Sequence, residues 1–269
     1  CSPQERLPTF ARTDKCKSLT LVKRNKARIH MTESILLAAR GLHTYYGSSH
    51  ILRGVDFSIA RGEAVGLMGR NGMGKSTLLK SMLGLVRPRA GSVWVKGVEM
   101  THALPHRIAQ AGIAYVPEGR GIFSNLSVHE NLVMAARAGS QGQRDWTYAR
   151  VLETFPRLSE RLTHGGTQLS GGEQQMLALC RTLMGDPDLI MVDEPTEGLA
   201  PKVVEQVAQF LATLRDRQIS VLLIEQKLTI ALDISDRVLV MGHGQVVYSG
   251  TPTDFRTQEE VRKEWLEIS

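Results

Sequence analysis

The chain has 269 residues, a length that suits one compact domain carrying an inserted subdomain. Its formal charge of +6 comes entirely from residues 1–30, which hold eight basic and two acidic side chains, so the rest of the chain is formally neutral. We therefore expect no nucleic-acid partner. Three cysteines without paired spacing give no disulfide framework, and no apolar run approaches the ~18 residues that span a bilayer.

Residues 1–30 form a basic stretch without a sustained apolar run. A secretory signal would need an apolar segment of about 7–15 residues, and the stretch offers only Leu19-Thr20-Leu21-Val22. We interpret it as a disordered extension. It could anchor the chain at a membrane surface or be translated sequence upstream of a natural start at Met31, and we favour the second interpretation.

Short apolar runs alternate with glycine-containing turns from residue 35 to residue 98. This pattern predicts strands at 36–39, 55–59, 64–68 and 92–95. Tyr46 lies on the link between the first two runs. An aromatic side chain there could stack on a purine or simply pack the turn, and spacing alone does not choose between the two.

The stretch Gly69-Arg70-Asn71-Gly72-Met73-Gly74-Lys75-Ser76 connects a predicted strand to a predicted helix. Its glycines allow the backbone to approach phosphate oxygens, and the helix N-terminus offers unpaired N–H groups. Lys75 is expected to reach the β- and γ-phosphates, and Ser76 is placed to bind Mg²⁺. The stretch therefore predicts a phosphate-binding loop.

The second half of the chain changes character twice. Helical periodicity runs through residues 127–187, which predicts a helical insertion. Nearly continuous apolar runs then follow at 189–192, 219–224 and 238–241, with a predicted helix at 202–215. Together with the earlier runs, this order predicts a parallel sheet covered by helices on both faces.

Two carboxylates, Asp193 and Glu194, follow a predicted buried strand. The carboxyl ends of such strands are where open α/β sheets bind ligands. We expect Asp193 to hold Mg²⁺ and Glu194 to polarise the water that attacks the γ-phosphate. The pair could instead only cap a following helix, but a phosphate loop in the same chain favours the catalytic interpretation.

The stretch Leu169-Ser170-Gly171-Gly172-Glu173-Gln174-Gln175 heads another predicted helix, where small residues would expose N–H groups and the Ser170 hydroxyl. This indicates a second phosphate-facing site about a hundred residues after the first. The simplest arrangement is a head-to-tail pair of chains, in which each chain supplies this helix end to the nucleotide of the other.

These motifs resemble those of the ATP-binding subunits of ABC transporters, and LSGGEQQ is highly specific to that superfamily. The resemblance covers roughly residues 35–269. It implies a P-loop NTPase fold of the α/β class, with a RecA-like parallel sheet core and an antiparallel β subdomain. It also implies an ABC ATPase domain over residues 31–269 that contains an α-helical subdomain at about 120–187.

The resemblance implies ATP and Mg²⁺ as cofactors. Tyr46 would stack on the adenine, Asp193 would be the Walker B aspartate and Glu194 the catalytic base. The signature residues Ser170, Gly171 and Gly172 would act on the nucleotide of a second ATPase subunit. ATP contacts are expected from the Walker A loop and the residue after it: Gly69, Asn71, Gly72, Gly74, Lys75, Ser76 and Thr77.

Two departures narrow the family. Glu118 stands where a glutamine usually senses Mg²⁺ and couples to the membrane subunit, and Gln226 stands where a histidine usually contacts the γ-phosphate. An amide can donate a hydrogen bond to phosphate but does not take up a proton at neutral pH. Gln226 is therefore expected to sense and orient, while Glu194 carries more of the base role. Ala200 replaces an aspartate of the inter-subunit loop, and that cross-dimer contact is not expected.

Both substitutions, together with residues 155–158 and 196–201, resemble the F-type ATPase subunit of branched-chain amino acid importers. In that case Glu118 joins Ser76 and Asp193 in the expected Mg²⁺ set. The implied partners are a second ABC ATPase subunit in a hetero- or homodimer, two integral membrane permease subunits and, indirectly, a periplasmic solute-binding protein. The implied location is peripheral, at the cytoplasmic face of the inner membrane.

Two alternatives remain at this stage. An importer of urea or short amides would carry nearly the same motifs. A non-transport ABC ATPase acting on ribosomes or DNA would usually carry two nucleotide domains or a long coiled coil, and the sequence indicates neither.

Overall fold

The computed structural model describes residues 34–266; the predicted extension at 1–30 and the proposed start at Met31 lie outside this range. Its strands are β1 (Ile35–Tyr46), β2 (Ser49–Ala60), β3 (Ala64–Met68), β4 (Ala90–Val95), β5 (Val98–Glu99), β6 (Ile113–Val116), β7 (Leu189–Asp193), β8 (Ser220–Ile224), β9 (Arg237–Gly242) and β10 (Gln245–Gly250). Its α-helices are α1 (Lys75–Met82), α2 (Pro105–Gln110), α3 (Val128–Ala135), α4 (Tyr148–Thr154), α5 (Pro156–Ser159), α6 (Gly171–Leu183), α7 (Pro201–Asp216), α8 (Leu228–Ile234), α9 (Pro252–Arg256) and α10 (Glu259–Trp265).

A six-stranded sheet with the order β10-β9-β3-β8-β7-β6 forms the centre of the fold. All neighbouring strands in it are parallel except β10 and β9. Strands β3, β7 and β8 are buried along their whole length, as expected for strands covered on both faces. The predicted parallel sheet is therefore confirmed.

A second, antiparallel sheet with the order β2-β1-β4-β5 packs over one face of the first. Strands β1 and β2 extend well beyond the apolar runs that the sequence marks at 36–39 and 55–59. The extension occurs because polar residues near the hairpin also find partners: Thr44 is fully buried, and its hydroxyl lies 2.9 Å from that of Ser81 in α1.

Helices α3 to α6 all lie between β6 and β7 in the chain, so they form the helical insertion that the periodicity indicates. The core on this side of the parallel sheet joins α3, α6 and α7 to the sheet through buried residues such as Leu132, Leu179 and Leu211. A smaller cluster around Phe255 packs α8 and α9 against β9. Sequence analysis had not predicted β10, α2 or the helices after β8.

Candidate active site

The loop between β3 and α1 takes a path that requires glycine. Gly69, Gly72 and Gly74 have φ values of 145°, 80° and 98°, all in the left-handed region. A Cβ atom on Gly69 would lie 2.6 Å from the carbonyl oxygen of Met241 in the neighbouring strand β9. The loop therefore packs directly on backbone, and its peptide groups lead into the N-terminus of α1.

The ammonium group of Lys75 is buried inside this loop. Its Nζ atom donates hydrogen bonds to the carbonyl oxygens of Gly69, at 2.8 Å, and of Arg70, at 3.2 Å. Burial lowers the pKa of Lys75, and the carboxylates of Glu194, Asp193 and Glu118 oppose this by favouring the charged form. Glu194 lies 4.0 Å from the ammonium.

The carboxylate of Asp193 lies at the end of β7 between two hydroxyl groups. Ser76 donates to Oδ1 at 3.4 Å, and Tyr115 donates to Oδ2 at 3.3 Å. Burial raises the pKa of Asp193, as does the charge of Glu194, whereas the two hydrogen bonds act in the opposite direction. Sequence analysis had not assigned Tyr115 a role.

The donor set fits Mg²⁺. Ser76 and Asp193 present adjacent hydroxyl and carboxylate oxygens, which are hard ligands of the kind this ion prefers. No group of three or more His, Cys, Asp or Glu side chains suited to a metal lies among residues 34–266. A site with one or two protein ligands, completed by phosphate and water, needs no such group. Glu118 is exposed on the loop after β6, where its charge acts on both Lys75 and Asp193.

Gln226 connects Glu194 to the phosphate loop. Its Nε2 atom donates to Glu194 Oε2 at 2.7 Å and to Asn71 Oδ1 at 3.1 Å. Glu194 itself has a φ of 48°, which is strained for a residue other than glycine, and its N–H donates to the carbonyl oxygen of Ile224 at 3.0 Å. The structure thus brings together three of the predicted site residues on three different loops.

Glu225 anchors the loop that carries Gln226. Its buried carboxylate accepts hydrogen bonds from the backbone N–H groups of Gln226, at 2.8 Å, and Lys227, at 3.3 Å. It also accepts one from the hydroxyl of Thr196, on the loop that follows Glu194. No motif in the sequence predicts this role, because adjacency in sequence does not reveal which backbone groups a side chain reaches.

Tyr46 ends β1 at the hairpin turn, and 46% of it is exposed. The preceding Tyr45 is occupied by other contacts: it stacks on His50, and the guanidinium of Arg89 lies 4.3 Å from its ring centre. Tyr46 makes no such contact among the described residues, and its exposure leaves the ring accessible at the surface. The adjoining segment of β2 reaches the phosphate loop, since the side chain of Leu52 lies beside Gly74.

The signature stretch forms the N-terminus of α6. Ser170 is the N-cap, its hydroxyl accepting from the N–H of Glu173 at 3.3 Å while the Glu173 carboxylate accepts from the N–H of Ser170 at 2.8 Å. These bonds lower the pKa of Glu173. Gly172 packs against Val203 of α7, and a Cβ atom on Gly172 would lie 2.8 Å from that side chain.

The structure separates the end of α6 from the loop between β3 and α1. No hydrogen bond or ion pair between described residues joins Ser170, Gly171 or Gly172 to the group around Lys75 and Asp193. Each feature is complete in its local geometry, and neither contacts the other within the described part of the chain.

A cleft of about 330 Å³ opens beside β6, which is the edge strand of the parallel sheet. Apolar residues, including Leu83 and Leu85, form much of its wall, and Tyr115 also lines it. Arg137 and Arg181 add positive charge, and the Nη1 atom of Arg181 is buried without a hydrogen-bond acceptor among the described residues.

Residues 52–197, which contain the phosphate loop, the signature stretch and both carboxylates, match the family described as ABC transporter. The chain belongs to this family. The prediction of an ABC ATPase is thereby confirmed, and ATP is the nucleotide that this ABC domain binds and hydrolyses. The roles of individual site residues remain predictions.

Curated relatives are similar over most of their length. The high-affinity branched-chain amino acid transport ATP-binding protein BraG of Pseudomonas aeruginosa is 39% identical over 231 residues, covering 86% of this chain and 99% of that protein. A probable branched-chain amino acid transport ATP-binding protein, LivF of Archaeoglobus fulgidus, is 37% identical and covers 82% of this chain and 94% of its own. A solved ATP-binding subunit of an ABC transporter, 30% identical, superposes with a TM-score of 0.73 over 84% of this chain and 94% of its own.

Within residues 34–266 of this ABC domain, none of the helices combines the length and the apolar character that crossing a bilayer requires.

We predict that Gly69→Ala weakens ATP binding at least about tenfold, because the left-handed φ and the contact with Met241 leave no room for a methyl group. The measurement is titration with a fluorescent ATP analogue, accompanied by thermal melting. Gly97→Ala is the matched control: Gly97 has a φ of 79° in a distant turn, with nothing within 4 Å of the new Cβ. It should cost about 1–2 kcal/mol of stability and leave ATP binding unchanged. Equal ATP affinity in both variants would contradict the prediction.

Proposed function

We propose that this chain is the ATP-hydrolysing subunit of an ABC importer that takes up branched-chain amino acids. The observation that carries the proposal is that Lys75, Asp193, Glu194 and Gln226 come together at the carboxyl ends of the parallel strands. The solute class is supported by the similarity to BraG and LivF over nearly their whole length. Residues 31–269 would act as one ABC domain, with the helical subdomain at about 120–187.

The phosphates of ATP would bind between the loop that contains Gly69, Gly72 and Gly74 and the N-terminus of α1. Lys75 already points into this loop, and its ammonium can exchange its two carbonyl partners for phosphate oxygens. Ser76 and Asp193 would hold Mg²⁺, with Glu118 close by. The ion supplies charge neutralisation for the β- and γ-phosphates. Asn71 and Thr77 complete the proposed phosphate contacts, and Tyr46 would stack on the adenine.

Glu194 would act as the general base toward the attacking water. Its carboxylate lies 4.0 Å from the ammonium of Lys75, which would contact the γ-phosphate. A water between Glu194 and the γ-phosphate would therefore be polarised by the carboxylate. Gln226 holds one oxygen of Glu194 at 2.7 Å through a group that only donates, so it orients the base without competing for the proton. Glu194 can take up a proton and Gln226 cannot, so the first would act as the base and the second would orient it.

A second ATPase subunit would complete each site. The N-terminus of α6 carries partial positive charge and small residues at Ser170, Gly171 and Gly172, but it does not contact the phosphate loop of its own chain. In a head-to-tail pair, each such helix end would face the nucleotide of the other subunit. ATP binding would close the pair, and hydrolysis would reopen it.

The cleft beside β6 would receive a segment of a permease subunit. Leu85 is 52% exposed and lines the cleft beside Leu83, Pro105 and Ala109, so the cleft offers a continuous apolar wall of the kind that marks a protein-interaction site. Two permeases would bind two ATPase subunits in this way, at the cytoplasmic face of the inner membrane, and a periplasmic binding protein would deliver the solute.

We predict that Glu194→Gln retains ATP binding while phosphate release falls by at least about a hundredfold, because the amide cannot accept the proton of the attacking water. Phosphate release and nucleotide affinity are measured on the same preparations. Glu153→Gln, the same change at an exposed carboxylate of α4 in the helical insertion, is the control and should keep wild-type turnover. Normal phosphate release by Glu194→Gln would refute the assignment of the base.

We predict that Leu85→Asp abolishes uptake of labelled leucine in a strain whose own gene for this chain is deleted, because a charge in the apolar wall prevents docking. The wild-type gene should restore leucine uptake but not urea uptake. Val98→Asp, at an apolar residue that is 57% exposed and does not line the cleft, should restore uptake like the wild type. Urea uptake in place of leucine uptake would contradict the proposed solute, and uptake with Leu85→Asp would contradict the docking site.

A further inference from the structure

Tyr115 lies between the cleft and the nucleotide site. It belongs to β6, the edge strand, which pairs in parallel with β7, and β7 ends at Asp193. Its side chain packs with Ile113 against the cluster that includes α1, so the ring lies on the face of the sheet that α1 covers. This places the hydroxyl 3.3 Å from Asp193 Oδ2.

The two oxygens of Asp193 have different partners. Oδ1 accepts from Ser76, which is itself a proposed ligand of Mg²⁺, whereas Oδ2 accepts from Tyr115, which has no proposed role toward ATP. The Tyr115 hydroxyl is therefore the partner on the Oδ2 side of the carboxylate.

The same residue forms part of the cleft wall beside Leu83 and Leu85. A segment seated in the cleft would contact residues packed around Tyr115. At 3.3 Å the contact with Asp193 is longer than the roughly 2.5–3.0 Å of ordinary O–H···O hydrogen bonds, so a small movement of the ring can tighten or break it. Tyr115 therefore borders both the cleft and Asp193.

Glu118 does not provide an equivalent link. Its side chain is a second carboxylate, which repels Asp193 and cannot donate a hydrogen bond to it. The hydrogen bond that Asp193 Oδ2 accepts comes from the hydroxyl of Tyr115.

We propose that Tyr115 is a positioning residue that orients the Asp193 carboxylate for the metal and transmits the docking of the permease segment to it. This inference rests on the proposed function for the identity of the docking segment, but the contact between Tyr115 and Asp193 does not depend on it.

The first test measures metal binding rather than turnover. Tyr115→Phe removes only the hydroxyl and keeps the apolar wall of the cleft. With a non-hydrolysable ATP analogue bound, Mn²⁺ affinity measured by electron paramagnetic resonance should fall about three- to tenfold. Tyr148→Phe is the matched control, because it removes a hydroxyl that contacts His129 at 2.8 Å in the helical insertion, and its Mn²⁺ affinity should equal that of the wild type.

The second test measures coupling. Hydrolysis by the purified chain is compared with hydrolysis by the complex that contains its membrane subunits, and melting temperatures confirm that the variants fold. Tyr115→Phe should lose most of the stimulation that the wild type and Tyr148→Phe show. Unchanged Mn²⁺ affinity or unchanged stimulation in Tyr115→Phe overturns the inference. A wild-type chain that no membrane subunit stimulates contradicts the proposed function instead, and the Mn²⁺ measurement still decides whether Tyr115 positions Asp193.

Discussion

The buried ammonium group of Lys75 is the constraint around which the site is built. A cation removed from water needs compensating partners, and here two carbonyl oxygens of its own loop and three nearby carboxylates provide them. The carbonyl contacts require the tight path of the loop, which in turn requires glycine where β9 comes close. The carboxylates come from the ends of other strands and the following loops. A phosphate group would thus enter a site whose charges are already in place.

The order of the strands also explains why the end of α6 lies apart from the residues around Lys75. The phosphate loop, Asp193, Glu194 and Gln226 all lie at the carboxyl ends of parallel strands. The end of α6 belongs to the helical insertion, and its hydrogen-bond partners lie in its own capping box. The buried carboxylate of Glu225 joins the loop that follows Glu194 to the loop that carries Gln226. Association of two chains is the step that would bring the second phosphate-facing feature to the first.

Much of this arrangement could be predicted from residues alone. The glycine loop, the strand that ends in Asp193 and the helix after Ser170 are local patterns, and local patterns survive folding when the strand and helix periods agree with them. The long β1–β2 hairpin was underestimated because Thr44 is buried through a hydroxyl contact with a distant helix. The contacts of Tyr115 with Asp193 and of Glu225 with Thr196 were not foreseen, because only the order of the strands in the sheet makes these residues neighbours.

The most direct test of the central claim, that each site is shared by two chains, mixes two defective variants. The purified wild-type chain is measured first. If each site is shared, hydrolysis by this chain without a sister subunit requires two copies of it to pair. Lys75→Ala disables the phosphate loop, and Ser170→Arg blocks the end of α6. Each should be inactive alone, whereas an equimolar mixture should recover about a quarter of wild-type hydrolysis, because half of the pairs contain one intact site of two. A mixture as inactive as its components would contradict the shared site.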